Sequence, residues 1–267
     1  MLETNKLYNM CCLEGMALMP DASADMVLCD LPYGATKCHW DTRVPFGPLW
    51  EQYRRVVKEN GAILLFSAQP FTTDLINSNR KMFRYEIVWA KTMPTGFLNA
   101  NKMPMKAHEN ILVFYRKQPA YNPVMREKDP NTMDSIGGTA AAGSNGKGIY
   151  GRHMERERKQ NESGKRHPTD VVRYSNWNGS GCMGKNPAIH QTQKPVDLCE
   201  YLIRTYSDPG DAVLDNCMGS GTTAIAAIEA GRRWIGFEKD YEIYLKAAKR
   251  IEEHTAQLSL FTWEGPK

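Results

Sequence analysis

Two short stretches hold the residue types with the most chemistry to offer. Asp30-Leu31-Pro32-Tyr33 follows the apolar run Met26-Val27-Leu28-Cys29, which predicts a buried strand ending in a carboxylate. A carboxylate at the C-terminal end of a parallel strand points into the crevice where such folds take ligands. Pro32 fixes its own φ and drives Leu31 out of the helical region, so the nearby carbonyls are held in place as acceptors. Tyr33 supplies a flat face for stacking. A carboxylate and a carbonyl together can accept both hydrogens of an exocyclic amino group. The lone pair of such a nitrogen is delocalised into its ring, and two acceptors favour a pyramidal nitrogen that exposes it. The same tetrapeptide also reads as an ordinary β-turn after a strand. Taken alone it does not decide between the two.

The second stretch is Asp215-Asn216-Cys217-Met218-Gly219-Ser220-Gly221-Thr222-Thr223, between a predicted strand and a predicted helix. Glycines there permit a tight turn and the close approach of a ligand to the backbone. The helix N-terminus offers free N–H groups and the positive end of a dipole. Glu238 ends the next predicted strand, 17 residues after Gly221. A carboxylate at that place can accept hydrogen bonds from both ribose hydroxyls of a nucleoside cofactor. The run from Gly219 to Ala224 also fits the G-x-G-x-x-A dinucleotide fingerprint. It lacks the lysine of a P-loop, which argues against an NTPase. A strand–helix turn without a ligand is the plainer alternative, and the acidic strand end weighs against it. Together the two stretches point to a planar amino group held beside a nucleoside-containing cofactor.

The elements that must position them alternate. Strands are predicted at Leu7–Met10, Met26–Cys29, Ala62–Phe66, Tyr85–Trp89 and Ile111–Tyr115, the last two aromatic and β-branched. Leu49, Trp50, Tyr53, Val56 and Val57 repeat with helical spacing. After about residue 190 come a helix from Pro195 to Tyr206, a strand at Ala212–Leu214, a helix from Thr222 to Ala230 closed by Gly231, a strand at Trp234–Phe237 and a helix from Tyr241 to Ile251. Strands alternating with helices imply a mostly parallel, doubly wound α/β sheet covered on both faces. Residues 118–189 differ. They are Gly-rich, charged and weakly periodic, and read as an inserted recognition region between halves at 1–117 and 190–267.

Composition sets the outer bounds. A chain of 267 residues with 42% hydrophobic content can fill a core. A mean hydropathy of −0.53 and the lack of an 18-residue apolar run argue against a membrane span. No basic-then-apolar leader opens the chain. The seven cysteines are odd in number and form no C-x-x-C pair, which fits free thiols in a reducing cytoplasm. No zinc ligand set is present, so no metal is expected. Between Arg116 and Lys185 stand 13 Lys/Arg against 7 Asp/Glu, while the rest of the chain holds 21 basic and 23 acidic residues. The positive excess is thus confined to the middle segment, as a polyanion-binding face requires. A solvated loop of mixed charge is the alternative.

Both motifs resemble those of DNA amino-methyltransferases that use S-adenosylmethionine. Asp30-Leu31-Pro32-Tyr33 is similar to their Asp-Pro-Pro-Tyr catalytic motif. Asp215 to Thr223 is similar to their cofactor motif Asp-x-Phe-x-Gly-Ser-Gly-Thr-Thr, with Cys217 in place of the aromatic residue. His190-Gln191-Thr192-Gln193-Lys194-Pro195 resembles the segment that precedes it. Catalytic motif first, variable region second and cofactor motif last is the order called the beta group. The resemblance spans roughly residues 5–117 and 187–252 and implies a seven-stranded Rossmann-like methyltransferase sheet with an inserted target-recognition region. It implies that Asp30 and the Leu31 or Pro32 carbonyl bind the target amino group, and that Tyr33 stacks on a flipped base. By the same resemblance Gly219, Ser220, Gly221, Thr222 and Thr223, with Asp215 and Cys217, surround the cofactor. Glu238 holds its ribose, and Lys194 faces its carboxylate. Cys11 and Cys12 stand where the family often has an acidic residue against the cofactor adenine, so that contact would come from backbone or another side chain.

The partner so implied is double-stranded DNA, methylated at adenine N6, because Asp at the first motif position is mainly an adenine feature. Arg152, Arg156, Arg158, Lys159, Lys165 and Arg166 are candidate phosphate contacts. His39, Trp40 and the region Lys91 to Lys106 could flank the flipped base or simply pack. Relatives are often dimeric, so a homodimer is among the expected partners, in the cytoplasm of a bacterial or phage-infected cell. An N4-cytosine enzyme on the same scaffold, an NAD-dependent oxidoreductase and a non-catalytic DNA-binding module remain the alternatives.

Overall fold

The apolar runs become strands of one sheet in a computed structural model that describes residues 2–34, 41–127, 165–176 and 193–261. In chain order the elements are β1 (Lys6–Asn9), α1 (Cys12–Ala17), β2 (Ala24–Cys29), α2 (Phe46–Val56), β3 (Val57–Ser67), α3 (Phe71–Ser78), β4 (Phe83–Thr95), β5 (Lys106–Phe114), β6 (Val171–Tyr174), α4 (Val196–Tyr206), β7 (Ala212–Asp215), α5 (Thr222–Glu229), β8 (Arg233–Glu238) and α6 (Tyr241–Phe261). A single 3-10 turn, Phe97–Asn99, lies between β4 and β5. The sheet runs β1-β8-β7-β2-β3-β5-β4-β6. Only β5 is antiparallel to its neighbours. The expected mostly parallel, doubly wound sheet is present with eight strands rather than seven. The additional one, β6, comes from within the stretch read as the inserted region. It is four residues long and alternates exposed with half-buried positions at the sheet edge, too short a pattern to register as a strand.

Alternation along the central strands sends apolar side chains to both faces. Met26, Leu28, Leu64, Phe66 and Val213 pack with α4, α5 and α6. Val27, Cys29, Ile63, Leu65 and Leu214 pack with α1, α2 and α3. α2 buries Leu49, Trp50, Tyr53 and Val56 along one stripe, while α5 is buried along nearly its whole length. The short helices α1 and α3 carried too little periodicity to be predicted.

The chain divides into two compact units, Met1–Asn122 with Thr169–Lys267, and Pro123–Pro168. In the second unit, Arg126 and Arg166 form an isolated antiparallel bridge with N–H···O distances of 2.9 and 2.8 Å. Among the described residues no helix is long and apolar enough to cross a membrane.

Candidate active site

The crevice follows from topology. β2 and β7 are parallel neighbours, with Met26 beside Val213 and Val27 beside Leu214. From β2 the chain moves on to β3, and from β7 to β8, on opposite sides of the pair. The strand order therefore reverses between them, and a ligand crevice opens at their C-terminal ends. Asp30 leaves one strand there and Asn216 the other. A single cavity of about 960 Å³ is lined by Asp30 to Tyr33, by the Asp215–Thr223 loop and by Glu238.

The glycine loop is held largely by backbone. Gly219 and Gly221 have φ of 53° and 81°, a left-handed conformation that costs little only without a Cβ. At Gly221 an added Cβ would also meet Ile251 Cδ1 at 3.0 Å. The Gly219 N–H donates to Glu238 Oε2 at 2.9 Å and the Asp240 N–H to Oε1 at 2.8 Å. Burial raises the Glu238 carboxyl above its ordinary range, against these hydrogen bonds. The Cys217 N–H donates to Asp215 Oδ1 at 3.0 Å. Asp215 is almost fully buried, and that burial pushes its carboxyl up to about 6. From behind, Arg250 on α6 donates to the Ser220 carbonyl at 2.8 Å and to Thr222 Oγ1 at 3.0 Å. The Tyr53 hydroxyl donates to Asn216 Oδ1 at 2.6 Å. Cys11, Cys12 and Cys217 line the cavity. A hydrogen bond to Cys217, with burial, keeps the Cys12 thiol protonated, and burial, with the Asp215 and Asp30 carboxylates nearby, pushes Cys29 up to about 12. These are not thiolate nucleophiles. Among the described residues no group of three or more His, Cys, Asp and Glu could hold a metal ion.

The Asp30 side is held by charge. The Tyr33 hydroxyl donates to Asp30 Oδ1 at 3.0 Å and Lys194 Nζ to Oδ2 at 2.5 Å. Lys194 also lies 3.3 Å from Glu109 Oε2, and Lys91 donates to Glu109 Oε1 at 2.5 Å. The Lys194 and Lys91 side chains are only 11% and 8% exposed, so their ion pairs are shielded from water. Burial works against the Lys194 ammonium, but Asp30 and Glu109 outweigh it and hold the group charged beyond the ordinary lysine range. Burial likewise opposes the Glu109 carboxylate, and Lys194 and Lys91 pull it below its usual value. Burial, then Asp30, keeps Tyr33 a neutral donor. The Tyr33 ring stacks on Phe71 with centroids 4.8 Å apart at 20°. Leu31 is buried in the core on the α1–α3 face and anchors the tetrapeptide.

Thus Asp30, Leu31, Pro32, Tyr33, Lys194, Asp215, Cys217, Gly219, Ser220, Thr222, Thr223 and Glu238 all line one cavity, and Gly221 caps α5 beside them. Arg152, Arg156, Arg158 and Lys159, with His39 and Trp40, lie outside the described residues. Lys165 and Arg166 belong to the second unit. Sequence reading missed Glu109, Phe71 and Arg250, and named Lys91 only as the start of a region that could flank the flipped base.

Comparison with known proteins adds to this geometry. A family model described as DNA methylase matches residues 24–250. The Type II methyltransferase M1.MboII of Moraxella bovis is 29% identical over 258 residues, covering 91% of this chain and 94% of that protein. Two solved structures share the fold. The PvuII DNA methyltransferase (cytosine-N4-specific) gives a TM-score of 0.65 at 17% identity, over 95% of this chain and 91% of that one. The M1.HpyAVI–SAM complex gives 0.56 at 21% identity, over 92% and 98%.

Proposed function

The chain belongs to the DNA methylase family, whose model joins N6 and N4 enzymes, and on that premise we propose that it methylates adenine N6 in double-stranded DNA. S-adenosylmethionine is the donor and, when bound, supplies an electrophilic methyl group on a sulfonium. The lining suits such a cation. Six carboxylates, at Asp30, Asp41, Glu109, Asp215, Glu238 and Asp240, face four basic side chains, at Arg43, Lys91, Lys194 and Lys239. The Glu238 oxygens each take one backbone N–H and keep lone pairs for a ribose diol. Lys194 has three N–H donors; one goes to Asp30, and another serves a ligand carboxylate. Gly219 to Thr223 wrap the methionine portion without side-chain bulk at the glycines.

The chain's own residues set up the nucleophile. An Asp30 oxygen and the Leu31 or Pro32 carbonyl accept the two hydrogens of the flipped amino group and expose its lone pair. Tyr33, braced on Phe71, stacks on the base. The proton that the nitrogen sheds on gaining a carbon passes along its hydrogen bond to the Asp30 carboxylate and from there to solvent. No covalent enzyme intermediate is needed, in keeping with the protonated thiols, and catalysis rests on alignment and electrostatics. Flipping costs a few kcal/mol of unstacking. In this reading residues 1–117 and 190–267 form the target and cofactor halves. Residues 118–189, with Arg152, Arg156, Arg158, Lys159, Lys165 and Arg166, bind the phosphate backbone.

The observation that carries the proposal is the shared cavity, in which a carboxylate-proline-tyrosine strand end meets a glycine loop and its acidic partner across the reversal of strand order. The test is methyl transfer from labelled S-adenosylmethionine to unmethylated bacterial DNA, followed by nucleoside digestion and mass analysis. N6-methyladenine is the expected product. N4-methylcytosine would overturn the target base and keep the reaction. No methylated nucleoside from folded, cofactor-bound protein would overturn the reaction.

A further inference from the structure

We propose that the tip of the β4–β5 hairpin is a wedge that enters duplex DNA beside the target and fills the gap left by the flipped base. The inference rests on the reading of the site given above. Phe97 and Leu98 are adjacent at the tip and are 77% and 97% exposed. Met93 and Met103 add apolar surface on the same arm, at 45% and 54% exposure. Isolated exposed apolar residues are ordinary, but a cluster on one projecting element marks a contact surface.

The tip is built rather than slack. Gly96, at φ 93°, turns the chain into the Phe97–Asn99 turn. Asn99 N–H donates to the Gly96 carbonyl at 3.0 Å, and Ala100 N–H to that of Phe97 at 2.9 Å. Lys102 and Met103 N–H both donate to the Asn99 carbonyl, at 2.8 and 3.0 Å. Lower on the arm, the Asn176 side chain exchanges two 2.9 Å hydrogen bonds with the Met93 backbone. The two side chains are therefore presented on a braced turn.

Position and charge choose the occupant. Lys91 and Thr95 of β4, and Asn176, line the cavity, so the arm rises from the rim of the place where the flipped base would lie. Residues 91–106 contain three lysines and no Asp or Glu. Of these, Lys102 and Lys106 are exposed, suited to phosphates on either side of an inserted apolar pair. Phe and Leu are among the residues that proteins push between base steps. A protein partner or a second copy would be served by the apolar surface but would not call for a carboxylate-free, lysine-flanked tip beside a base-binding cavity.

The test uses the full chain and the Phe97→Ala/Leu98→Ala double variant, whose side chains contribute little to the fold at these exposures. Once the target site is mapped, two duplexes are compared, one with the target base paired and one with it mispaired. On the paired duplex kcat/KM should fall roughly tenfold or more, because a paired base must be unstacked and held out. On the mispaired duplex the variant should match wild type. Equal losses on both duplexes, or no loss on either, would overturn the wedge. A change in oligomeric state by light scattering would assign the patch to self-association, and would also overturn it. The wild-type control separates this inference from its premise: if wild type methylates neither duplex, the methyltransferase reading fails and the wedge with it. If wild type methylates both and the variant behaves the same, the wedge alone fails.

Discussion

The two walls of the crevice are fastened by different physics. The glycine loop is held by backbone N–H groups on Asp215 and Glu238, by two left-handed glycines and by Arg250 from behind. The Asp30 wall is held by side-chain charge, in the sequence Asp30, Lys194, Glu109, Lys91, drawn from four separated parts of the chain. Damage to the loop should therefore appear first as lost stability and cofactor affinity. Damage to the charged wall should appear first in the chemistry and its pH dependence.

Asp30→Ala is the sharpest test of that difference. The amino group loses its charged acceptor, and methyl transfer should fall by roughly a thousandfold, as when a preorganised group at the reacting atom is removed. The cofactor Kd, measured with labelled S-adenosylmethionine, should change far less, because the opposite wall is intact and Lys194 keeps Glu109 beside it. Equal losses in both readouts would mean that the walls are not separable.

Asp215→Asn probes the loop through pH. The folded carboxyl titrates at about 6 against an ordinary aspartate value of 3.8. Between those values the folded state holds a proton that the unfolded chain has released, so stability falls as pH rises through the window. A shift of this size corresponds to a change of about 3 kcal/mol. Asn keeps an acceptor for the Cys217 N–H and has no such titration. Urea unfolding at pH 4 and pH 7 should show the variant gaining on wild type by up to that amount as pH rises. Parallel pH profiles would remove burial of Asp215 as a stability term.

Gly221→Ala should cost about 2 kcal/mol, combining a left-handed non-glycine residue with the close Ile251 contact. Gly210 offers the control. Its φ is 84°, and an added Cβ there meets nothing within 4 Å. Gly210→Ala carries only the backbone cost. If the two variants unfold at the same urea concentration, the Ile251 contact contributes nothing.

The same contrast explains what was legible in the sequence. The loop is local: Asp215, Gly219 and Gly221 lie within seven residues, and Glu238 ends the next strand. Strand, turn and helix chemistry are enough to read it. Asp30 was legible because Pro32 and Tyr33 mark the end of an apolar strand. The rest of its charge network was not, because a lysine such as Lys91 or a glutamate such as Glu109 has no local signature. What makes them a network is the pairing of Trp89 with Glu109 across β4 and β5 and the approach of the segment before α4. The edge strand β6 was hidden for a related reason. Four half-exposed residues take their strand character from β4, not from their own pattern.

Glu109→Gln sharpens the comparison with the smallest change, since it keeps the side chain's shape and removes only its charge. Lys194 is held charged by Asp30 and Glu109 against the opposing pull of burial. With one carboxylate gone the balance tips toward burial, and the ammonium releases its proton at lower pH than in wild type. The alkaline limb of kcat/KM against pH should therefore move to lower pH, with a loss at neutral pH on the order of tenfold. Lys91 is left buried without its carboxylate, so some stability is lost as well, and a fall in activity alone would not identify the cause. The displaced limb would, because a purely structural defect scales the whole profile without moving it. Glu109→Asp restores the charge one methylene short and should return the limb most of the way. A limb unmoved in Glu109→Gln would mean that Glu109 holds the strand end in place without tuning Lys194, and the charged wall would then differ from the glycine loop only in its materials.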